Sequence, residues 1–205
     1  TLQLSLAINS LNLVQSGGNS LKLNDVDINK LSSTAQTLAA VFPELKYAKS
    51  EEDVINILMP SGTPEYSEVF GGISFDDPLG SLQKLSRLWF SLSEQIKKDN
   101  PDAWSRFINL AAAPRGISCE FCCGVGAQGI TQDGRLRCGC SHNPAILALA
   151  LGLVKYTNYS DGEILREVMK WKTLWFPRNM ISLGLQIATG DVSATSKLPG
   201  MVGGC

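Results

Sequence analysis

The chain has one histidine, His142. A serine-type hydrolase needs a histidine held between a nucleophile and an acid, and this one stands beside cysteines instead, which argues against that class. Excess charge is missing too: 18 Lys+Arg face 19 Asp+Glu, and charged residues make up 18% of the chain against the roughly 25% usual for soluble proteins. No basic stripe of the kind that tracks a phosphate backbone is present, so no nucleic-acid partner is expected. The longest apolar run, Ala145 to Val154, is about half of the roughly 20 residues needed to cross a bilayer, and no membrane span is expected. Internal repeats and low-complexity tracts are absent. Paired-carboxylate catalysis has no feature pointing to it.

What is abundant is sulfur in one place. Five of the six cysteines, Cys119, Cys122, Cys123, Cys138 and Cys140, fall with His142 inside a single short segment. A chain of 205 residues buries enough apolar surface to fold without cross-links, so these cysteines are not needed merely for folding. Cys119-x-x-Cys122 lets two thiolates face one ion from a tight turn, and Cys138-x-Cys140 supplies a second pair. The expected ligands are Cys119, Cys122, Cys138 and Cys140, with Cys123 and His142 as alternates. Zinc and an iron–sulfur cluster both suit this set, and copper(I) accepts two or three soft thiolates. The expected function is metal or cluster binding, with redox or electron transfer as its extension.

The layout resembles a zinc-ribbon knuckle pair, except that the second pair has one intervening residue and Cys123 and His142 are left over. The Cys122-Cys123-Gly124 triplet resembles the paired cysteines of heterodisulfide-reductase-type cluster domains over those three residues only, and no residue roles follow from it. Two other classes of function compete. One is a secreted structural or interaction protein whose cysteines close as disulfides; the other is a thiol oxidoreductase using Cys138 and Cys140. The first residue is Thr1, which points to a removed upstream segment and leaves the compartment open but tipped toward the outside of the cytoplasm. Asn158-Tyr159-Ser160 reads as a glycosylation acceptor there, although Ser160 has a better use as a helix cap. Protein partners and self-association are not legible.

Two further features bear on the cysteines. Cys138, Cys140 and His142 precede an Asn143-Pro144 helix start, whose partial positive charge, together with Arg135 and Arg137, is expected to lower thiol pKa values. Gly124-x-Gly126-x-x-Gly129 matches the dinucleotide-binding pattern by letter but lacks the strand before it and the helix after it, so it reads as a permissive loop.

The fold expected is α+β, mostly α. Alternating Leu2, Leu4, Leu6 and Ile8, then a Gly17-Gly18-Asn19 turn, predict an N-terminal β-hairpin over about residues 2–24. The spacing of Ile28, Leu31, Ala35, Leu38 and Phe42 predicts one helix from Asp27 to Pro43. Further helices are expected at 51–58, 79–98 on a Leu79, Leu82, Leu85, Leu88, Leu92, Ile96 stripe, 101–113, 144–154 and 161–175, with the pattern continuing from Met180 to Ala188 after a break at Phe176-Pro177. A small β-hairpin or loop with an Asp133-Gly134 turn is expected to carry the cysteines, and the tail from Gly190 to Cys205 reads as loop. Residues 1–48 then form a hairpin-plus-helix annex and 49–205 a helical body carrying the cluster at 119–142, or the two make one domain. Gly71-Gly72 to Pro78 is an alternative seam.

Overall fold

The computed structural model describes residues 23–190. Eight α-helices follow in order among them: α1 (Thr34–Val41), α2 (Glu51–Leu58), α3 (Pro78–Asp99), α4 (Pro101–Ala111), the single turn α5 (Glu120–Cys123), α6 (His142–Tyr156), α7 (Asp161–Trp175) and α8 (Pro177–Ala188). No β-strand occurs among the described residues. Residues 2–22 of the hairpin expected over 2–24 and the tail beyond Gly190 lie outside them; the last two hairpin positions, Leu23 and Asn24, stand in a 3-10 turn, and the described residues are helical in class.

The helices begin where the chain supplies a cap. Ser50 and Asp53 close a reciprocal box on α2, with Ser50 Oγ accepting from the Asp53 N–H at 3.1 Å and Asp53 Oδ2 accepting from the Ser50 N–H at 3.1 Å. Ser160 and Glu163 do the same on α7. Asp77 and Asn100 cap α3 and α4, each followed by proline at the first helical position, where its missing N–H costs nothing. Lys97 and Lys98 fall in the last turn of α3, next to its negative end.

α6 is the axis of the body. Every residue from Asn143 to Val154 is buried, and α3 lies along it with α4 and α7 alongside. A helix apolar all round must be surrounded in this way. Gly152 allows the closest approach: a Cβ there would run into the ring of Phe70. On the other side of α7, α1, α2 and α8 make a second group, where Gly184 of α8 gives room to Val54 and Leu58.

Three expectations need correction. The helix from Asp27 is two pieces, a 3-10 turn at Ile28–Lys30 and α1 from Thr34. Ser33 takes the cap position and accepts from the Gln36 N–H at 3.1 Å, while the Ser32 N–H and hydroxyl both bond Gln36 Oε1, so local side-chain bonds restart the helix there. On α3, the inward line is Leu82, Leu85, Trp89, Ser93 and Ile96, whereas Leu79 is 70% exposed and Leu88 and Leu92 are only partly buried. Steps of three drift off a 3.6-residue turn, and Trp89 takes the inward place assigned to Leu88.

The third correction concerns the cysteine-bearing hairpin, which is a loop with two isolated bridges, Ile117 with Gln128 (parallel) and Ile130 with Leu136 (antiparallel). The Asp133-Gly134 turn does form, with Gly134 at φ +84° and the Thr131 N–H donating to Arg135 O at 2.9 Å. The ladder stops after one pair: the Arg137 N–H bond to Gly129 O is that pair's second bond, and Gln128, next along, bridges Ile117 instead. Gly129 O accepts from both the Arg137 N–H (3.0 Å) and Asn143 Nδ2 (2.9 Å), and a Cβ at Gly129 would meet Ile117 O.

Candidate metal centre

Segment 112–141 leaves α4 and returns to α6 without regular structure beyond α5, yet much of it is buried. Several of its backbone carbonyls, those of Ala112, Gly116, Gly126, Gly129 and Cys138, accept from side chains, the kind of pairing that burial requires. Arg115 donates from Nε to Ile28 O at 2.7 Å and from a terminal nitrogen to Asn109 O at 2.5 Å, holding the first bend against the body. Gly116, at φ +87°, lies under Thr34 and Met169 with no space for a side chain, and its N–H donates to Ala127 O at 2.9 Å. Ser118 Oγ donates to Gly126 O at 2.8 Å, and Gln128 Nε2 to Ala112 O at 2.6 Å.

The cysteines are delivered by two legs. In the first, Cys119 stands at the head of α5, and its carbonyl accepts from the N–H groups of Cys122 (2.9 Å) and Cys123 (3.4 Å) before Gly124, at φ +64°, ends the turn. In the second, Cys138 and Cys140 lie just ahead of α6. The expected cap residue Asn143 is instead inside α6, which begins at His142 with Ser141 in the cap position. Asn143 is fully buried, and its amide donates to Gly129 O at 2.9 Å and Cys138 O at 3.0 Å, tying the second leg to the helix that follows.

These legs bring the Sγ atoms of Cys119, Cys123, Cys138 and Cys140 within 4.8 Å of one another. All four are free cysteines. Cys138 and Cys123 approach to 2.7 Å, Cys140 and Cys119 to 3.3 Å, and the Cys140 N–H points at Cys138 Sγ at 3.5 Å. Cys119 is wholly buried and the other three half-buried. Cys123, expected as an alternate, stands in this group where Cys122 was expected. Cys122 joins Cys140 and His142 in a second group whose ligand atoms also lie within 4.8 Å of one another.

The electrostatics of the four thiols are set mainly within the group. Burial pushes the Cys119 thiol far up, and its bond with Cys140 adds to that. Cys123 is pushed up to about 12, first by the hydrogen bond it shares with Cys138. For Cys138, burial acts upward, but hydrogen bonds from Cys123 and from the Cys140 backbone outweigh it and hold the thiol below its ordinary value. The arginines expected to assist are engaged elsewhere, Arg135 with Asp133 at 2.7 Å and Arg137 with Gln128 at 2.8 Å. His142 packs against Phe176 (centroids 4.9 Å apart) and Trp175 (6.4 Å), and burial pushes its pKa down, favouring the neutral imidazole that binds metals. Gly124 to Gly129 forms no strand-to-helix turn.

The roles of three residues around the site are not legible in the sequence. Glu120, inside the first cysteine motif, and Lys172 of α7 are both fully buried and meet at 2.5 Å, with the Thr34 hydroxyl also on Glu120 Oε1. Asn143 is the third. A signal existed for Lys172: it falls four residues after Val168, on the apolar face of α7, where a charge requires a buried partner.

No protein-family model matches the chain, and no curated protein or solved structure is significantly similar to it. Function is therefore argued from the site's geometry.

Proposed function

We propose that this is a metal-binding protein in which Cys119, Cys123, Cys138 and Cys140 hold one tetrahedral ion, zinc first and a single iron second. The observation that carries the proposal is the mutual spacing of the four free thiols, all within 4.8 Å. Arms of about 2.3 Å from a central ion put tetrahedral ligands about 3.8 Å apart, which four sulfurs so grouped reach with small shifts. A multi-iron cluster interposes several iron and sulfide atoms between its cysteines and needs them wider apart. Four protein ligands close the coordination sphere, as in structural zinc sites, so the ion's work is to fasten the loop to the head of α6.

Elemental analysis of protein purified without oxygen, paired with a thiol count, tests this. At least one metal equivalent is expected, lost when Cys138→Ser and Cys140→Ser are combined; unchanged metal content in that variant refutes the ligand set. Colour separates the ions, since a single iron on four thiolates absorbs in the visible and zinc does not.

A second reading rests on the 2.7 Å approach of Cys123 and Cys138, the half-buried pair. A small-molecule disulfide that takes two electrons and two protons from these thiols, and is itself reduced to two thiols, joins the two sulfurs, and the segment is then stapled rather than metallated. Intact mass before and after reduction distinguishes the two.

A further inference from the structure

We infer that Glu120, Lys172 and Thr34 are positioning residues of the thiolate site, setting where the first cysteine leg stands relative to the second. The inference rests on the metal-site reading and adds to it residues that touch no metal.

Lys172 Nζ donates to Glu120 Oε1 at 2.5 Å and to Gly116 O at 2.9 Å, and it lies over the ring of Phe121 at 4.9 Å from the centroid. It thereby grips the chain on both sides of Cys119, three residues before it and one after. Thr34 of α1 bonds the same carboxylate oxygen. The turn carrying Cys119 and Cys123 is thus fixed to α1 and α7, whereas Cys138 and Cys140 are fixed to α6 through Asn143. The separation of the two legs is set by how α7 packs on α6, which is the rigid body itself.

Stability is a poor reason for such a pair. Burying a lysine and a glutamate forfeits the hydration of both charges, and well-packed apolar side chains in their place commonly leave a protein equally or more stable. Glu120 Oε2, moreover, is buried without a hydrogen-bond partner among the described residues, an added cost. What apolar replacements cannot supply is directional bonding that fixes a backbone carbonyl and a carboxylate at once. Groups behind metal ligands matter in this way, and their loss costs affinity for the ion.

The test compares the full chain with Glu120→Leu/Lys172→Met, Lys172→Met alone and Thr34→Val. Readouts are metal-free thermal stability, cobalt(II) affinity by chelator competition, and the visible bands of the cobalt form. Lys172→Met alone is expected to destabilise, because it strands the Glu120 carboxylate. The double variant is expected to melt at or above the parent temperature while binding cobalt about 10- to 100-fold more weakly, with altered visible bands. Thr34→Val, which removes the hydroxyl that donates to Glu120 and accepts from Lys172 Nζ at 3.5 Å, is expected to weaken cobalt binding about 5-fold.

Parent affinity and parent bands in the double variant overturn the inference and leave the pair a packing element. Should the double variant not fold, Thr34→Val decides: unchanged affinity there overturns it, and a fall with unchanged melting supports it. A parent chain that binds neither cobalt nor zinc removes the metal reading and this inference together, and is told apart because the parent is measured in the same titration.

Discussion

The helical body and the buried part of segment 112–141 are held by different physics. In the body, apolar side chains meet at helical spacing: Leu85, Trp89 and Ile96 of α3, Pro144 to Val154 of α6, and Val168 and Trp171 of α7. Burial of that kind is non-directional and tolerates exchange among side chains of similar volume. The segment instead depends on individual bonds from Arg115, Ser118, Gln128, Asn143 and Lys172 to particular carbonyls, and on four sulfurs at one point. A body made by area can lose a contact and adjust, whereas a segment made by directed bonds has few substitutes for any one of them.

The largest expected effect falls on the body. Trp171 is fully buried, with Phe75 at 4.8 Å and Trp175 at 5.5 Å between ring centroids, and its indole N–H donates to Tyr66 Oη at 3.0 Å. Trp171→Ala is expected to cost about 3–5 kcal/mol of folding stability, read by denaturant titration. Because the body carries the segment, metal affinity should fall with it.

Stripping the ion should do the reverse. A chelator is expected to abolish amide-exchange protection over 117–140 while α3, α6 and α7 keep theirs, the signature of a local opening rather than global unfolding. Equal loss in both regions would mean that they are one cooperative unit.

Proton competition sharpens the same contrast. Cys119 and Cys123 have raised pKa values, so in the metal-free protein at neutral pH both hold their protons, and metal uptake must expel them. Affinity is therefore expected to rise with pH, by about 100-fold per unit if one proton leaves each of these two thiols. Calorimetry in buffers of different ionisation enthalpy counts the protons, and none released would contradict the thiol assignment. Body stability should not follow that dependence.

The smallest effect is at a cap. Ser160→Ala removes the acceptor for the Glu163 N–H at the start of α7 and is expected to cost about 1 kcal/mol, with zinc affinity unchanged. A change in affinity here would show that the site responds to any loosening of α7.

The same division explains what was legible in the chain. Helices with a cap and a stripe, such as α2, α3 and α7, could be placed within a residue or two, because the cap and the period are local properties. The cysteine cluster stood out for a similar reason, as composition concentrated in one segment. What could not be read was pairing across long separations. Cys123 rather than Cys122 stands with Cys119, Cys138 and Cys140 because one turn of α5 points it that way. Lys172 meets Glu120 only because α7 folds back over the loop, and Asn143, which looks like a cap, is buried to serve Gly129 and Cys138. The missing β-hairpin has the same origin: the Asp133-Gly134 turn is local and forms, but a longer ladder depended on the residues before it, and Gln128 bridges Ile117 instead.

The burial of α6 on every side bears on how the chain is made. Its cover arrives in two instalments, with α3 and α4 synthesised ahead of it and α7 after it. After α6 has emerged from the ribosome and until α7 has followed it, the Ala145–Val154 face that α7 will occupy stands bare and adhesive, the condition in which nascent chains recruit chaperones or clump. Pausing in that interval, or truncation just before Asp161, should therefore yield insoluble product even though the cysteine segment is already complete.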